Sequence, residues 1–195
     1  MAFRTNARTV RNAAITLIGP GGAGKSTVGA LVAERLGLGF VDLDRCFEAR
    51  AGDISAFIDR CGYGAYARAN VETYRSLLGD DAEPLVVALS SGFMTYSMTV
   101  HSEYASLRRA IEDGPTTFVL VPSLQRDLCV AETVRRQLAR PFARPAVKEE
   151  AVIQERFAIY VGLRARKIET MRPLTVIIDE LVAAVRDARQ PMAER

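Results

Sequence analysis

Short apolar runs alternate with segments of helical periodicity along the chain. Predominantly apolar stretches at Ile15 to Ile18, Gly39 to Leu43, Leu85 to Leu89 and Thr117 to Val121 are predicted strands, and Lys167 to Thr170 is a weaker fifth strand. Strands that are apolar throughout and separated by helical patterns are typical of a parallel sheet with helices on both faces. The pattern therefore predicts an α/β domain.

Two of the predicted helices have clear ends. Apolar residues recur at helical spacing from Val28 to Leu36, and Gly37 is expected to end that helix. A terminal helix is predicted from Leu174 to Val185, with Pro173 suited to its first turn. Because ligands of such folds bind at the carboxyl ends of the strands, the residues that follow each strand are the candidate functional residues.

Composition and charge narrow the class of protein. The chain has 195 residues, of which 49% are hydrophobic, and this fits one domain over residues 13–190 with a basic tail at residues 1–12. A net charge of +3 does not favour a nucleic-acid or membrane partner, and no apolar stretch reaches membrane-spanning length. Three cysteines without metal-like spacing, Cys46, Cys61 and Cys129, favour reduced thiols and a cytoplasmic location.

The segment between the first strand and the first helix carries the most specific motif. Residues 19–27 read Gly-Pro-Gly-Gly-Ala-Gly-Lys-Ser-Thr and match the phosphate-binding loop G-x-x-x-x-G-K-[ST] in its required strand-loop-helix context. The glycines allow backbone N–H groups to turn towards phosphate, Lys25 supplies charge to the β- and γ-phosphates, and Ser26 is the expected Mg²⁺ ligand. The predicted ATP-binding residues are Gly21, Gly22, Ala23, Gly24, Lys25, Ser26 and Thr27.

Two carboxylates follow the second predicted strand. Alternation along that strand is expected to place Asp42 and Asp44 on the same side at the carboxyl edge of the sheet. One carboxylate would hold Mg²⁺ through water, and the other would orient and deprotonate an attacking hydroxyl. The alternative is that the pair only caps the next helix.

The stretch from Leu17 to Asp44 resembles shikimate kinase, a small relative of the nucleoside monophosphate kinases. The likeness continues through residues 47–52 and returns at Glu155 to Tyr160, which is similar to an Arg-x-x-x-Tyr segment of that family, and at residues 167–170. The resemblance implies a P-loop fold with a five-stranded parallel sheet in the order 2-3-1-4-5 and a mobile lid. It also implies transfer of the ATP γ-phosphoryl group to a ring hydroxyl.

The resemblance assigns roles to individual residues. It implies that Asp42 serves the metal, that Asp44 binds the substrate hydroxyls, and that Arg156 pairs with a substrate carboxylate, whose two oxygens match a guanidinium fork. The family places a second substrate arginine in an aromatic-Arg-x-x-Glu pattern, whereas this chain has Tyr66-Ala67-Arg68-Ala69-Asn70-Val71-Glu72. Arg68 either fills that role or lies on a solvated helix face, because a shift of one residue rotates a helical side chain by roughly 100°.

A second departure follows the third predicted strand. The family has three consecutive glycines where this chain has Ser90-Ser91-Gly92, so only Gly92 is retained as a substrate-binding residue. Two hydroxymethyl groups would narrow the acceptor space and add hydrogen-bond donors, or they would only satisfy backbone groups in a tight turn. No acidic residue ends that strand, so Asp42 is left as the metal carboxylate.

A basic segment between Pro122 and Lys148 is the predicted lid, at approximately residues 122–150. Arg140-Pro141-Phe142 resembles the family's Arg-Pro-Leu lid motif, whose arginine stabilises charge on the transferring phosphoryl group. Arg136 resembles an earlier lid arginine that packs against adenine. Arg144 followed by Pro145 is a competing match, and a solvated basic face is the simpler interpretation. His101 is expected at the surface or at a helix start.

Together these features predict an ATP-dependent kinase that uses Mg²⁺ and phosphorylates a hydroxyl of a small metabolite. Lys25, Asp44 and Arg140 are the predicted catalytic residues. Shikimate is the first candidate acceptor, followed by a related hydroxylated carboxylate or cyclitol, and the altered acceptor residues favour poor turnover of shikimate itself. A non-catalytic small-molecule sensor on the same fold is the alternative.

Overall fold

A computed structural model of the chain describes residues 13–78, 83–139 and 146–189. In chain order, its strands and helices are β1 (Ala13–Ile18), α1 (Lys25–Leu36), β2 (Gly39–Asp42), α2 (Leu43–Ala51), α3 (Ile54–Cys61), α4 (Tyr63–Ser76), β3 (Leu85–Ala88), α5 (Tyr104–Glu112), β4 (Thr117–Val121), α6 (Arg126–Leu138), α7 (Ala146–Gly162), β5 (Arg166–Glu169) and α8 (Leu174–Arg189). The predicted tail and the lid residues Arg140 and Arg144 lie outside the described residues.

The strands form one parallel sheet in the order β2-β3-β1-β4-β5, which confirms the predicted topology. β4 has its predicted bounds, and β5 is shifted by one residue from its prediction. β2 ends at Asp42, one residue before its predicted end, because Leu43 already begins α2. This difference changes how Asp44 reaches the site.

Neighbouring residues of the strands pack into two separate cores. Val86 and Phe118 face one side, where α1 and α8 cover the sheet, while Val87 and Val119 face the other. Both faces of the central strands β3, β1 and β4 are therefore buried, which explains why these three strands are predominantly apolar instead of alternating. Among the described ranges, none of the helices has the length and apolar character that a bilayer span needs.

The core on the side of Val87 and Val119 is rich in aromatic side chains, and these side chains fix the rotation of α4. The Tyr66 ring lies 5.0 Å from the ring of Phe47 and 6.4 Å from the ring of Tyr96, both edge to face. Tyr74, two helical turns further along α4, lies 5.2 Å from Phe93 in the same way. The face of α4 that carries Tyr66 and Tyr74 is thus held against the sheet side.

Three adjacent strands bring the candidate residues to one edge. β3 lies between β2 and β1, and all three run in the same direction. The phosphate-binding loop follows β1, Asp42 ends β2, and Ser90 lies two residues beyond β3. The carboxyl edge of these strands therefore positions the candidate site.

Candidate active site

The loop after β1 has the backbone that its glycines were expected to allow. Gly22 and Gly24 have φ of 77° and 93°, in the region that favours glycine. Gly19 has a φ of 147°, and a Cβ there would collide with the backbone carbonyl of Leu120 on β4. The loop thus has the tight glycine turn expected of a phosphate-binding loop.

Lys25 is the first residue of α1 and is almost fully buried. Its ammonium donates to the carbonyl oxygens of Gly19 and Pro20, at 2.8 and 2.9 Å. The side chain therefore turns back over the loop and keeps its charge at the N-terminus of the helix. This is where the motif requires a cation.

Ser26 and Asp42 lie together, as the metal assignment requires. The Ser26 hydroxyl donates to Asp42 Oδ2 at 2.5 Å. Asp42 Oδ1 accepts from the backbone N–H groups of Asp44 and Arg45, at 3.0 and 3.4 Å, so Asp42 is also the N-cap of α2. A hydroxyl and a carboxylate are the oxygen ligands that Mg²⁺ accepts beside substrate phosphates, so the pair fits this ion.

Asp44 reaches the site from a helix and not from a strand. Leu43 is fully buried and opens α2, so the predicted alternation of Asp42 and Asp44 along a strand is wrong. In the first turn of α2, Asp44 Oδ1 instead accepts from the Ser90 hydroxyl at 2.5 Å and from the Tyr66 hydroxyl at 3.4 Å. Asp44 thus faces the turn after β3, where the acceptor contacts were predicted.

The rotation of α4 decides which of its residues face this turn. Asn70 is fully buried, and its amide nitrogen donates to the hydroxyls of Ser90 and Tyr66, at 3.0 and 3.3 Å. Arg68 is exposed and lines a surface depression with Glu72 and neighbouring residues. Tyr66 fixes the register of the helix, so Arg68 falls on another, exposed face of α4, and its assignment to the acceptor site stays a prediction.

The register of α4 shows which residues occupy the aromatic-Arg-x-x-Glu pattern, and the residues at its two charged positions are neutral. With Tyr66 as the aromatic residue, the positions of the arginine and the glutamate are held by Ala67 and Asn70, which are both buried. The two opposite charges are therefore lost together. Loss of both partners leaves no unpaired charge in the buried helix face.

Arg156 lies on the other side of the same turn. Its Nη1 donates to the Ser91 hydroxyl at 3.1 Å, and its Nη2 donates to the Tyr63 hydroxyl at 3.4 Å. The Tyr160 hydroxyl, one helical turn further along α7, donates to the Ser91 carbonyl oxygen at 2.9 Å. Ser91 thereby connects α7 to the turn and places a guanidinium beside it.

Gly92 leaves space for two side chains beside this turn. Its φ of −99° is open to any residue. A Cβ at this position would lie 2.5 Å from the Tyr63 hydroxyl and 3.2 Å from Arg156 Nη2. The absence of a side chain therefore lets Tyr63 and Arg156 approach the turn, which supports the predicted role of Gly92 in the acceptor site.

Arg136 contacts the phosphate-binding loop itself. Its Nη1 donates to the Gly22 carbonyl oxygen at 3.2 Å and to the Thr170 hydroxyl at 3.1 Å, and its Nη2 donates to the Thr170 carbonyl oxygen at 3.0 Å. Thr170 in turn donates to the Ala23 carbonyl oxygen at 2.9 Å. Arg136 is thus bonded to the loop and to the residue after β5, in addition to any packing against a base.

Glu132 holds Arg136 in this position. It accepts from Arg136 Nε at 2.7 Å and from Arg135 Nε and Nη2 at 2.6 and 2.7 Å. Hydrogen bonds from Arg135 first, and then from Arg136, lower the pKa of Glu132 to about 2. Glu132 therefore stays ionised over the range in which proteins are usually studied.

Sequence reasoning missed Tyr63, Tyr66 and Asn70 as site residues, although Tyr66 and Asn70 stand in the pattern where the family has a charged pair. Burial, and the Asp44 charge next, raise the pKa of Tyr66, so its phenol is a neutral donor. Both serines of the Ser90-Ser91-Gly92 turn use their side chains on site residues and not only on backbone groups. Ser90 is thus the expected added donor, whereas the Ser91 hydroxyl accepts from Arg156.

Comparison with known proteins gives a consistent family. The family model "Shikimate kinase" matches residues 21–185. A shikimate kinase of Thermobifida fusca is 31% identical over 86% of this chain and 91% of that protein, and one of Chlorobium limicola is 34% identical over 70% of this chain and 60% of that protein. The structure of a shikimate kinase from Acinetobacter baumannii in complex with shikimate aligns with a TM-score of 0.69 at 21% identity, over 91% of this chain and 94% of that chain.

The structural likeness shows a common fold, and the family model covers most of the chain, including residues 21–27 of the loop, Asp42, Asp44 and Arg156. Shikimate kinases are ATP-dependent phosphotransferases. The chain belongs to the shikimate kinase family.

Proposed function

We propose that this protein transfers the γ-phosphoryl group of ATP to a hydroxyl of a small hydroxylated carboxylate, with shikimate as the first acceptor to test. The single observation that carries the proposal is the pair of contacts made by consecutive serines. Ser90 bonds Asp44 on one side of the turn after β3, and Ser91 bonds Arg156 on the other. A carboxylate that orients a hydroxyl and a guanidinium that binds an anion therefore flank the same turn.

The nucleotide would bind on the loop after β1. Backbone N–H groups of residues 21–27 would take the phosphates, Lys25 would neutralise charge that develops in the transition state, and Arg136 would brace the loop through Gly22. A bound Mg²⁺ ion would neutralise charge on the phosphates, and Ser26 and Asp42 would hold it. The family relationship supports ATP as the phosphoryl donor.

The acceptor would bind between Asp44 and Arg156. Asp44 would accept a hydrogen bond from the reacting hydroxyl and hold it in line with the γ-phosphate, because catalysis of phosphoryl transfer is mainly positioning and charge stabilisation. Arg156 would exchange its bonds to Ser91 and Tyr63 for a bidentate pair with a carboxylate. We assign Arg68 no role in this arrangement, because it lies on an exposed face of α4. The family has two substrate arginines, whereas here one guanidinium binds the carboxylate. A changed or relaxed acceptor preference is therefore part of the proposal.

The segment over residues 122–150 would act as the lid, with Arg140 closing over the phosphates. Two features support this role. α6 already contacts the phosphate-binding loop through Arg136, and a Cβ on Gly21 would collide with the Gln137 side chain. Arg140 follows Gln137 in the sequence by fewer residues than one helical turn contains.

A coupled ADP-release assay of the purified protein with Mg²⁺-ATP and shikimate tests the proposal, with Lys25→Ala as the control. We expect acceptor-dependent ADP release that falls by orders of magnitude in the variant, since Lys25 acts mainly in the transition state. ADP release that survives Lys25→Ala would contradict the nucleotide assignment. Tight ATP binding without turnover of any acceptor would favour a sensor over an enzyme.

A further inference from the structure

A hydrogen-bond network of the buried side chains of Asn70, Ser90 and Tyr66 ends at Asp44. Resting on the proposed function, we propose that Ser90 is a positioning residue for Asp44, and that Asn70 and Tyr66 complete a neutral network that leaves Asp44 Oδ2 for the acceptor hydroxyl. Ser90 stands at a glycine position of the family pattern, Asn70 stands at its glutamate position, and Tyr66 lies beside its arginine position. Their side chains nevertheless converge on one carboxylate oxygen.

The directions of the hydrogen bonds follow from the available protons. The Asn70 amide nitrogen carries two protons and no lone pair for accepting, so it donates to both Ser90 and Tyr66. Each hydroxyl has one proton to donate, and the oxygens of a carboxylate accept. Both hydroxyls therefore donate to Asp44 Oδ1, at 2.5 Å from Ser90 and 3.4 Å from Tyr66.

The network distinguishes the two oxygens of Asp44. Both arms end at Oδ1, and none of the described residues donates a hydrogen bond to Oδ2. Rotation of the carboxylate would break the 2.5 Å bond from Ser90, and the charge makes this bond stronger than one between neutral groups. Oδ2 is consequently the oxygen that remains to accept a hydrogen bond from an acceptor hydroxyl.

The cost of the network to folding argues against a purely structural role. Asn70 is fully buried, and within the described part of the chain its side-chain carbonyl oxygen has no hydrogen-bond partner. An unsatisfied buried carbonyl is unfavourable, and an apolar residue of similar size would avoid this penalty. The position is thus explained better by what its amide does for Ser90 and Tyr66 than by stability.

Kinetics of three variants test the proposal, with the acceptor that the wild-type protein uses best. Ser90→Ala removes the stronger arm, Tyr66→Phe removes only the weaker one, and Ser97→Ala removes an exposed hydroxyl that bonds only within its own loop. We expect kcat to fall roughly tenfold to a hundredfold in Ser90→Ala and less in Tyr66→Phe, because misplacement by about 1 Å costs that much in rate. The KM for ATP should stay unchanged in all three.

The double variant with Asp44→Asn separates positioning from a general effect. If Ser90 acts through Asp44, Ser90→Ala should lower kcat no further in the Asp44→Asn background. An equal loss in both backgrounds, or a wild-type kcat in Ser90→Ala, would overturn the proposal. Tyr66→Phe is isosteric and reports on the same network if Ser90→Ala does not fold.

A thermal-unfolding cycle on the same variants needs no acceptor. The decreases in melting temperature of Ser90→Ala and Asp44→Asn should not add in the double variant, because both remove one bond. Additive decreases would contradict the Ser90 to Asp44 contact. A wild-type protein that phosphorylates no acceptor would refute the proposed function alone, and the unfolding cycle would still decide whether Ser90 holds Asp44.

Discussion

Ser26 Oγ donates a hydrogen bond to Asp42 Oδ2 at 2.5 Å and so joins the first turn of α1 to the end of β2. Because Asp42 also caps α2, the residue assigned to the metal sets the start of the helix that carries Asp44. The nucleotide side and the acceptor side of the site are therefore connected through one carboxylate. Asp42 thus has two assigned functions, metal binding and capping of α2, and different substitutions should separate them.

Asp42→Asn should keep the cap of α2 and weaken metal binding, whereas Asp42→Ala should lose both. Asparagine caps a helix about as well as aspartate, and alanine costs about 1 kcal/mol of stability at such a position. We expect both variants to need more Mg²⁺ for half-maximal turnover, and only Asp42→Ala to unfold at lower temperature. A wild-type Mg²⁺ requirement in Asp42→Asn would remove Asp42 from the metal site.

Arg156→Ala should weaken acceptor binding by about 2 to 4 kcal/mol, because a bidentate pair between guanidinium and carboxylate is lost. ATP affinity should barely change. Calorimetry with each ligand separately measures both effects. Arg164→Ala, which removes an exposed arginine paired with Asp113, is the matched control. Equal losses for the two ligands would mean that Arg156 does not act at the acceptor.

Gly92→Ala should raise the KM for the acceptor several-fold and leave the KM for ATP unchanged. The new methyl group would lie 2.5 Å from the Tyr63 hydroxyl and 3.2 Å from Arg156 Nη2, so both side chains must move away from the turn. Gly64→Ala is the control, because a Cβ there meets nothing within 4 Å. Steady-state kinetics that show the same acceptor KM in both variants would exclude Gly92 as a wall of the site.

Glu132→Gln should lower the melting temperature at pH 7 and loosen the contact of Arg136 with the loop. The pKa of Glu132 is held at about 2, below its ordinary 4.5, by Arg135 and then Arg136. A depressed folded pKa contributes stability above the unfolded pKa, and this contribution is lost as pH falls from about 4.5 towards 2. The gap between variant and wild type should therefore shrink from pH 7 to pH 3.

Thermal unfolding at the two pH values checks this prediction. Glu150→Gln, at an exposed glutamate that accepts from the Gln154 amide on the same helix, is the comparison variant. A gap for Glu132→Gln that is the same at both pH values would show that the two arginines do not lower the pKa of Glu132 as described. Weaker ATP binding in Glu132→Gln at pH 7 would further support the brace on the loop.

The nucleotide side was predictable from sequence because its motif is local. Residues 19–27 carry the glycines, the lysine and the serine in one segment, and the strand and helix beside them fix its context. The sheet order and the family resemblance are confirmed by the topology and by the family model. Ser26 and Asp42 were both assigned to the metal from sequence, and the hydrogen bond between them brings the two side chains together.

The acceptor side was less predictable because it depends on helix rotation. Arg68 was left open between the site and solvent, and the packing of Tyr66 against Phe47 and Tyr96 is what turns Arg68 to an exposed face of α4. Asp44 was expected to reach the site by alternation along β2, but the strand ends at Asp42 and the buried Leu43 already starts α2. Both outcomes come from tertiary packing, which periodicity does not contain. The roles of Arg140 and of the lid stay predictions.

The most direct test of the central claim is phosphoryl transfer to an identified acceptor, measured by coupled ADP release and by ³¹P NMR of the product. The wild-type protein would be assayed with Mg²⁺-ATP against shikimate and a panel of hydroxylated acids, cyclitols and sugars. We predict acceptor-dependent ADP release with a matching phosphomonoester signal, and at least one panel member used as well as shikimate or better. Tight ATP binding with no phosphorylated product from any acceptor would contradict the account.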